Sequence, residues 1–397
     1  MVATISYNWR LNIVATLFFT FYHLAIPLIP RYASTMGLQP SAIGFAISSL
    51  SITAIVLRPL GGSVSDKWSR IKPMTMGTLL LSVAYVMLAF SRNLGTLIAS
   101  GMLQGIAAAL FIPSSIASAI DYAPEGRVGE ALGWRSLAVG VGLSLGPALG
   151  GFMAELLGYN YTFMVTSLLA LTIIPLLATC KEPPRRRTSN PMKRYRVWLK
   201  NSNFLLAFLG LTMYSSAWMG LLTFLSAYLK IRGYGDLEMG LFVAIQAAMS
   251  LVTRPLAGRI ADVRASFMTS MGLLIMSASL FAIYLLEVPP LLYVASSIFG
   301  LGVGIYLPSS QTLALAKAPL EGRGFLSGTY TMGMDVGRLI GPTAFGIIIE
   351  ISNSYQVAFL IAPFLPLIPA IALLSSSLRT ENHTLVSSLS RTSHHRS

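Results

Sequence analysis

Charge is what this sequence has least of. Only 11% of its 397 residues are charged, against roughly a quarter in a soluble domain, and Asp and Glu together number 14. A chain so poor in charge cannot dress itself in a hydrated surface, so an ordinary soluble fold is excluded in favour of one surrounded by lipid. Cysteine is almost missing too: the single Cys180 rules out an internal disulfide and any multi-thiolate metal site. Three of the four histidines fall in the last fifteen residues, which leaves no histidine cluster for a catalytic metal. Walker and HExxH patterns are absent, so neither an ATP-hydrolysing pump nor an enzyme is expected. No ring of charge suggests a passive channel.

What fills the chain instead is apolar: 54% of residues, gathered into runs. The first, from about Leu11 to Pro30, is roughly 20 residues long, enough to cross a bilayer. It is too long for a signal-peptide core and no small-residue cleavage site follows, so it reads as a retained span. Twelve runs are expected, centred near Phe21, Leu50, Val83, Ala107, Gly142, Leu169, Tyr214, Ala247, Ser277, Phe299, Leu339 and Pro366. An even number puts both termini on one side. Of the 28 lysines and arginines, 23 then fall on that side, four on the other and Arg338 within a span. The positive-inside rule makes the crowded side cytoplasmic and accounts for the net charge of +14 without a nucleic-acid partner.

The chain also repeats itself. Gly133, Gly142, Gly146-Pro147 and Gly150-Gly151 return as Gly328, Gly337, Gly341-Pro342 and Phe345-Gly346, an offset of 195 residues. "RPLGGSVSD" (58–66) returns as "RPLAGRIAD" (254–262), "FIPSS" (111–115) as "YLPSS" (306–310), and "APEGR" (123–127) as "APLEGR" (318–323). Four blocks in the same order mark a duplicated six-helix unit with its copies in parallel orientation. The expected organisation is a first bundle over 1–180, a basic cytoplasmic linker over 181–200, a second bundle over 201–378 and a disordered tail over 379–397. The fold class is thus an all-α membrane protein of twelve spans in two pseudo-symmetric bundles.

With these residues in view, nearly the whole chain resembles the major facilitator superfamily of secondary transporters. The glycine-proline block is similar to the helix-five signature of its antiporter, mainly drug-exporting, branch. "GSVSDKWSRIK" (62–72) is similar to the superfamily's loop signature through Gly62, Asp66, Lys67 and Arg70, with Ser69 where glycine is usual. "LIASGMLQGIAAA" (97–109) fits the helix-four signature except at Gly101, where arginine is usual. The resemblance implies that helices five and eight, and two and eleven, meet between the bundles. It also implies that Asp66 faces the start of helix eleven near Gly324–Gly328, and that Arg70 pairs with Asp121 as a latch between states. Asp262 would anchor a second, weaker latch, because Val263 and Ser266 replace its basic residues.

Gly142, Gly146 and Gly150 recur every four residues and so share one helix face, where backbones approach closely. With Pro147 and Gly151, and with Gly337, Gly341 and Pro342 in the second copy, this face is expected to form the contact between bundles. Asp335 and Arg338 lie roughly 15–20 Å along helix eleven at 1.5 Å per residue. Ionisable groups at that depth are costly and face a bundle interior or a cavity. Spaced three apart, they can reach each other, either as a neutralised structural pair or as a proton or substrate site. His23, in helix one, is a further proton-coupling candidate or a plain hydrogen-bond partner. A substrate cavity between the bundles would draw on Asn12, Tyr22, His23, Gln104, Tyr214, Trp218, Met219, Tyr306 and Gln311, an aromatic and amide set suited to apolar or weakly polar molecules.

The function expected from these observations is proton-coupled export of hydrophobic or amphipathic small molecules by alternating access. A proton-coupled uptake symporter for a sugar or organic acid is the alternative. Neither needs a cofactor beyond the proton gradient. The expected setting is a monomer in the plasma membrane.

Overall fold

The structure is a computed structural model, which describes residues 2–38, 40–182, 198–234, 236–286 and 289–375. The expected tail, and all but the ends of the expected linker, lie outside the described residues. Lipid offers no partner for a bare peptide group, so a chain of long apolar runs must close its hydrogen bonds internally. Every long element is accordingly a helix, and no strand occurs among the described residues.

Ten spans stand alone: α1 (Trp9–Ala33), α2 (Ala46–Lys67), α3 (Ile71–Ala89), α4 (Leu94–Asp121), α5 (Val128–Leu157), α6 (Tyr159–Ala178), α7 (Ser202–Leu225), α10 (Pro290–Leu315), α11 (Arg323–Ser352) and α12 (Tyr355–Ser375). Glu238–Leu285 is long enough for two. It leaves helical geometry at Arg264 (φ −129°, ψ 49°), which divides it into α8 before and α9 after. The twelve expected spans are therefore present, with α8 and α9 joined by a bend instead of a loop. Gly158, at φ 76°, does the same between α5 and α6, a backbone region that glycine enters without a Cβ clash. α11 stops where Asn353 turns left-handed at φ 51°.

The duplication is visible in the helices themselves. Prolines sit inside α2, α4 and α5 at positions 59, 113 and 147, and inside α8, α10 and α11 at 255, 308 and 342. In the first half α2 packs on α4, α1 on α5, and α3 on α4 and α6. In the second half α7 packs on α11, and α8 and α9 on α10. The halves meet through α2 with α11 and α5 with α8, supported by α4 with α11 and α5 with α10.

Candidate functional site

Both seams are tightest at the end of the molecule where α6 leaves for the linker. Gly62 of α2 lies against the backbone of Gly324 in α11, and Gly129 of α5 against Gly258 of α8, so that a Cβ on any of the four would strike main-chain atoms. Such contact is possible only because these residues lack side chains. At the first seam the Asp66 carboxylate accepts hydrogen bonds from Gly324 N and Phe325 N, each at 2.8 Å. These are orphan donors of the first turn of α11, at the positive end of its dipole. Arg70 bonds Asp66 at 2.6 Å and Asp121 at 2.8 Å, and Asp121 also takes Arg323 at 2.8 Å. Burial disfavours the charge on Arg70, but Asp121 and Asp66 outweigh it and hold its pKa above the ordinary arginine value. Lys67 ends α2 and adds no ion pair among the described residues. Glu182, just after α6, accepts from the Ser69 hydroxyl and from the backbone N–H groups of Arg70 and Ile71, and so fixes the α2–α3 turn.

The second seam repeats the cap and little else. Asp262 accepts from Gly129 N and Glu130 N, at the start of α5. Arg259 pairs with Glu130 at 2.9 Å, but its side chain is 41% exposed.

Deeper in the seam, Arg58 of α2 and Asp335 of α11 form an ion pair at 2.5 Å, with side chains only 2% and 1% exposed. The pair bridges the two halves about 12 Å inward from Asp66, at 1.5 Å for each of eight residues. Next to it lies a cavity of about 90 Å³, walled by both halves through residues of α1, α2, α4, α5, α8, α10 and α11. Tyr22, His23, Arg58, Arg135, Arg254, Gln311 and Arg338 supply its polar surface.

The family follows from the sequence of this same frame. Residues 11–342 match the Major Facilitator Superfamily, and residues 263–394 match it again. The chain belongs to that superfamily. Multidrug resistance protein 1 of Bacillus subtilis (strain 168) is 24% identical over 348 residues, 85% of this chain and 88% of its own length. The quinolone resistance protein NorA of Staphylococcus aureus is 28% identical over 170 residues, 43% of this chain and 44% of its own length. Among solved structures, the proton:xylose symporter XylE superposes with a TM-score of 0.78 at 16% identity, covering 94% of this chain and 96% of its own. The human organic anion transporter MFSD10 superposes at 0.77 and 17% identity, covering 92% and 98%. These two establish the fold. A major facilitator is a multi-pass membrane transporter of small molecules and not an enzyme.

Within this superfamily member, three expectations about the site need correction. Gly142, Gly146 and Gly150 do not face the other bundle. They lie against Thr16, Thr20 and Leu24 of α1, in the same half, where a Cβ would meet main-chain oxygen. Gly337 and Gly341 lie in the same way against Thr212 and Ser216 of α7. At the third step the sizes swap: Gly150 receives Leu24, whereas Phe345 lies over Gly220. Pro147 and Pro342 sit inside these packed helices, and Gly151 has open space where a Cβ would go. Of the block, Gly133 reaches one seam, against Arg254 and Gly258, and its repeat Gly328 reaches the other, against Arg58 and Pro59.

The second correction concerns Asp335, whose ion-pair partner is Arg58 across the seam and not Arg338 on its own helix. Arg58, Arg135 and Arg254, counted above among loop cations, are buried within α2, α5 and α8. The third concerns the cavity wall, where Tyr22, His23 and Gln311 stand but the other expected residues do not. Gln104 and Tyr306 are fully buried in their own bundles. Trp218 stacks on Phe299 at 4.6 Å, and Tyr214 packs beside Tyr306 at 5.6 Å. Asn12 and Met219 are also outside this wall. His23 turns its Nδ1 to the Phe19 carbonyl oxygen one turn back, 3.0 Å away.

Proposed function

We propose that this transporter works by alternating access, exporting hydrophobic or amphipathic molecules in exchange for protons. The observation that carries the reading is the Arg58–Asp335 pair, a buried charge contact made between the two halves and beside the cavity. Removing the charge of one partner in such a pair leaves the other uncompensated, at about 3–5 kcal/mol. A proton delivered to Asp335 would do that reversibly. It would weaken the contact between α2 and α11 and favour opening at the linker end; proton loss would favour reclosure. The cavity is too small for a drug-sized molecule, which needs roughly 300–1,000 Å³, so the bundles must part before cargo is admitted. The sealed linker end and the glycine seams suit a rocking motion of that kind.

The names of the sequence relatives, a multidrug resistance protein and a quinolone resistance protein, support efflux as the direction. The positive-inside bias supports a cytoplasmic linker end, with both termini cytoplasmic in a plasma-membrane protein acting as a monomer. The latch of Asp66, Arg70 and Asp121 would then hold the outward-open form. Purified protein in liposomes tests the proton step: a pH gradient should drive dye accumulation by the wild type. Asp335→Asn should lose gradient-driven transport, by a factor of 100 or more, and keep counterflow exchange. Gradient-driven transport surviving in Asp335→Asn would place the proton site elsewhere.

A further inference from the structure

The charge in the cavity does not balance. Four arginines stand in its wall, Arg58, Arg135, Arg254 and Arg338, and among the described residues no aspartate or glutamate does. The nearby Asp335 is committed to Arg58. Arg135 and Arg254 are 4% and 5% exposed, and neither forms an ion pair among the described residues. Arg135 spends one donor on the Ser115 hydroxyl at 3.0 Å, while its Nη2 is buried with no hydrogen-bond partner. Arg254 reaches only neutral groups, the Ser250 hydroxyl at 2.8 Å and the Ser136 carbonyl oxygen. Buried guanidinium groups ordinarily sit against carboxylates. This wall holds two that do not, Arg135 and Arg254, with the half-buried Arg338 beside them.

The duplication shows where the missing carboxylate would be. Arg254 is the repeat equivalent of Arg58, at an offset of 196, and Gly140 is the equivalent of Asp335, at 195. The structure puts the Arg254 guanidinium directly over Gly140. The second seam therefore has the arginine of the pair and, in place of its acid, a glycine that the Arg254 guanidinium covers. The remaining wall is apolar, from Ile112 and Ile116 of α4, Val139 and Leu143 of α5, Leu307 of α10 and Met334 of α11.

We propose that the cargo is an organic anion, an apolar body carrying a carboxylate, sulfonate or phosphate, whose charge takes the place of the absent acid beside Arg254, Arg135 and Arg338. The substrate class rests on the transport reading above and narrows it. An anionic head gains what these arginines lack: bidentate charge-assisted hydrogen bonds in a dry site. A cationic amphipath of the same shape would add one more uncompensated positive charge.

The test uses a matched pair of probes, pyrenesulfonate and pyrenemethyl-trimethylammonium, with the full-length protein in liposomes. Counterflow of the sulfonate should be saturable and at least tenfold more efficient than that of the ammonium probe. Arg254→Gln and Arg338→Gln should each weaken sulfonate binding tenfold or more, while Arg254→Lys should lose less. Gly140→Asp is the sharper variant, because it supplies the acid that the second seam lacks. Only the flexible ends of Arg254 and Leu251 must give way to its Cβ. It should melt no lower than wild type and lose sulfonate transport. Equal or preferential transport of the ammonium probe would overturn the anion assignment and leave the transport reading standing, whereas failure of both probes and of a neutral dye panel would remove both. Replacing external gluconate by chloride or phosphate should leave sulfonate binding unchanged; competition by either at equal concentration would mean a site for inorganic ions and would also overturn the assignment.

Discussion

The two seams are built on one plan and loaded differently. Each has a glycine pair at the linker end and an aspartate, Asp66 or Asp262, that caps the helix across the seam. At α2–α11 this frame carries a dense set of charges, with Arg70 and Arg323 on Asp121 and Arg58 on Asp335 further in. At α5–α8 the cap is joined by the half-exposed Arg259–Glu130 pair, with Arg127 3.9 Å from the same glutamate, and Arg254 has no acid among the described residues. The close backbone approach and the helix cap are what both copies keep, so they are the minimum that lets two bundles seal. The ion pairs are an addition to one copy. It follows that one seam can respond to a change in charge, while the other can follow it mechanically.

Four experiments would break or sharpen that contrast. The largest difference is expected deep in the seams. Arg58→Leu leaves Asp335 buried without a partner and should cost about 3–5 kcal/mol, seen as a large drop in melting temperature. Arg254→Leu strands no acid and should cost well under half as much; equal losses would mean the seams are energetically alike. Next come the caps. Asp66→Asn removes charge-assisted bonds to two backbone donors and to Arg70, about 1.5–3 kcal/mol. Asp262→Asn should cost less because no buried arginine shares its carboxylate. Cysteine cross-linking across each seam would report the fraction closed. Gly62→Val and Gly129→Val should each disfavour closure by about 1–3 kcal/mol through overpacking, and by similar amounts, since the glycine frame is the shared part. Arg259→Gln should be the mildest, within about 1 kcal/mol for an ion pair open to solvent. A transport defect approaching that of Asp66→Asn would show that the second latch matters more than its exposure suggests.

Much of the frame was legible in the sequence. Spanning lengths gave the twelve helices, and the repeated "RPL" blocks followed by Asp66 and Asp262 located both caps. The contacts of Arg70 with Asp121 and of Asp66 with α11 lie where the family resemblance puts them. What periodicity could not supply was the neighbour. Spacing of four told that Gly142, Gly146 and Gly150 share a face of α5, but α1 and α8 flank that helix on different sides, and nothing local distinguishes them. Arg58 was misplaced for a related reason. Pro59 follows it and suggests the end of a span, yet α2 continues to Lys67, because a membrane helix tolerates an internal proline when neighbours satisfy the freed carbonyl. The signal that could have found it was the repeat itself: Arg58 and Arg254 hold equivalent places eight residues before a capping aspartate, which argues against loop cations serving topology alone.

Glu182 bears on how quickly the first latch can act. Its carboxylate clamps the turn from Ser69 to Ile71 by the main chain, so Arg70 can swing off Asp121 and return without its backbone being rebuilt. Only side-chain torsions have to change, and exposed ones hop within picoseconds to nanoseconds, far faster than collective domain movement at microseconds to milliseconds. In the rocking motion proposed above, the catch would be cocked before the bundles came back together, and their swing, not its re-engagement, would time the cycle.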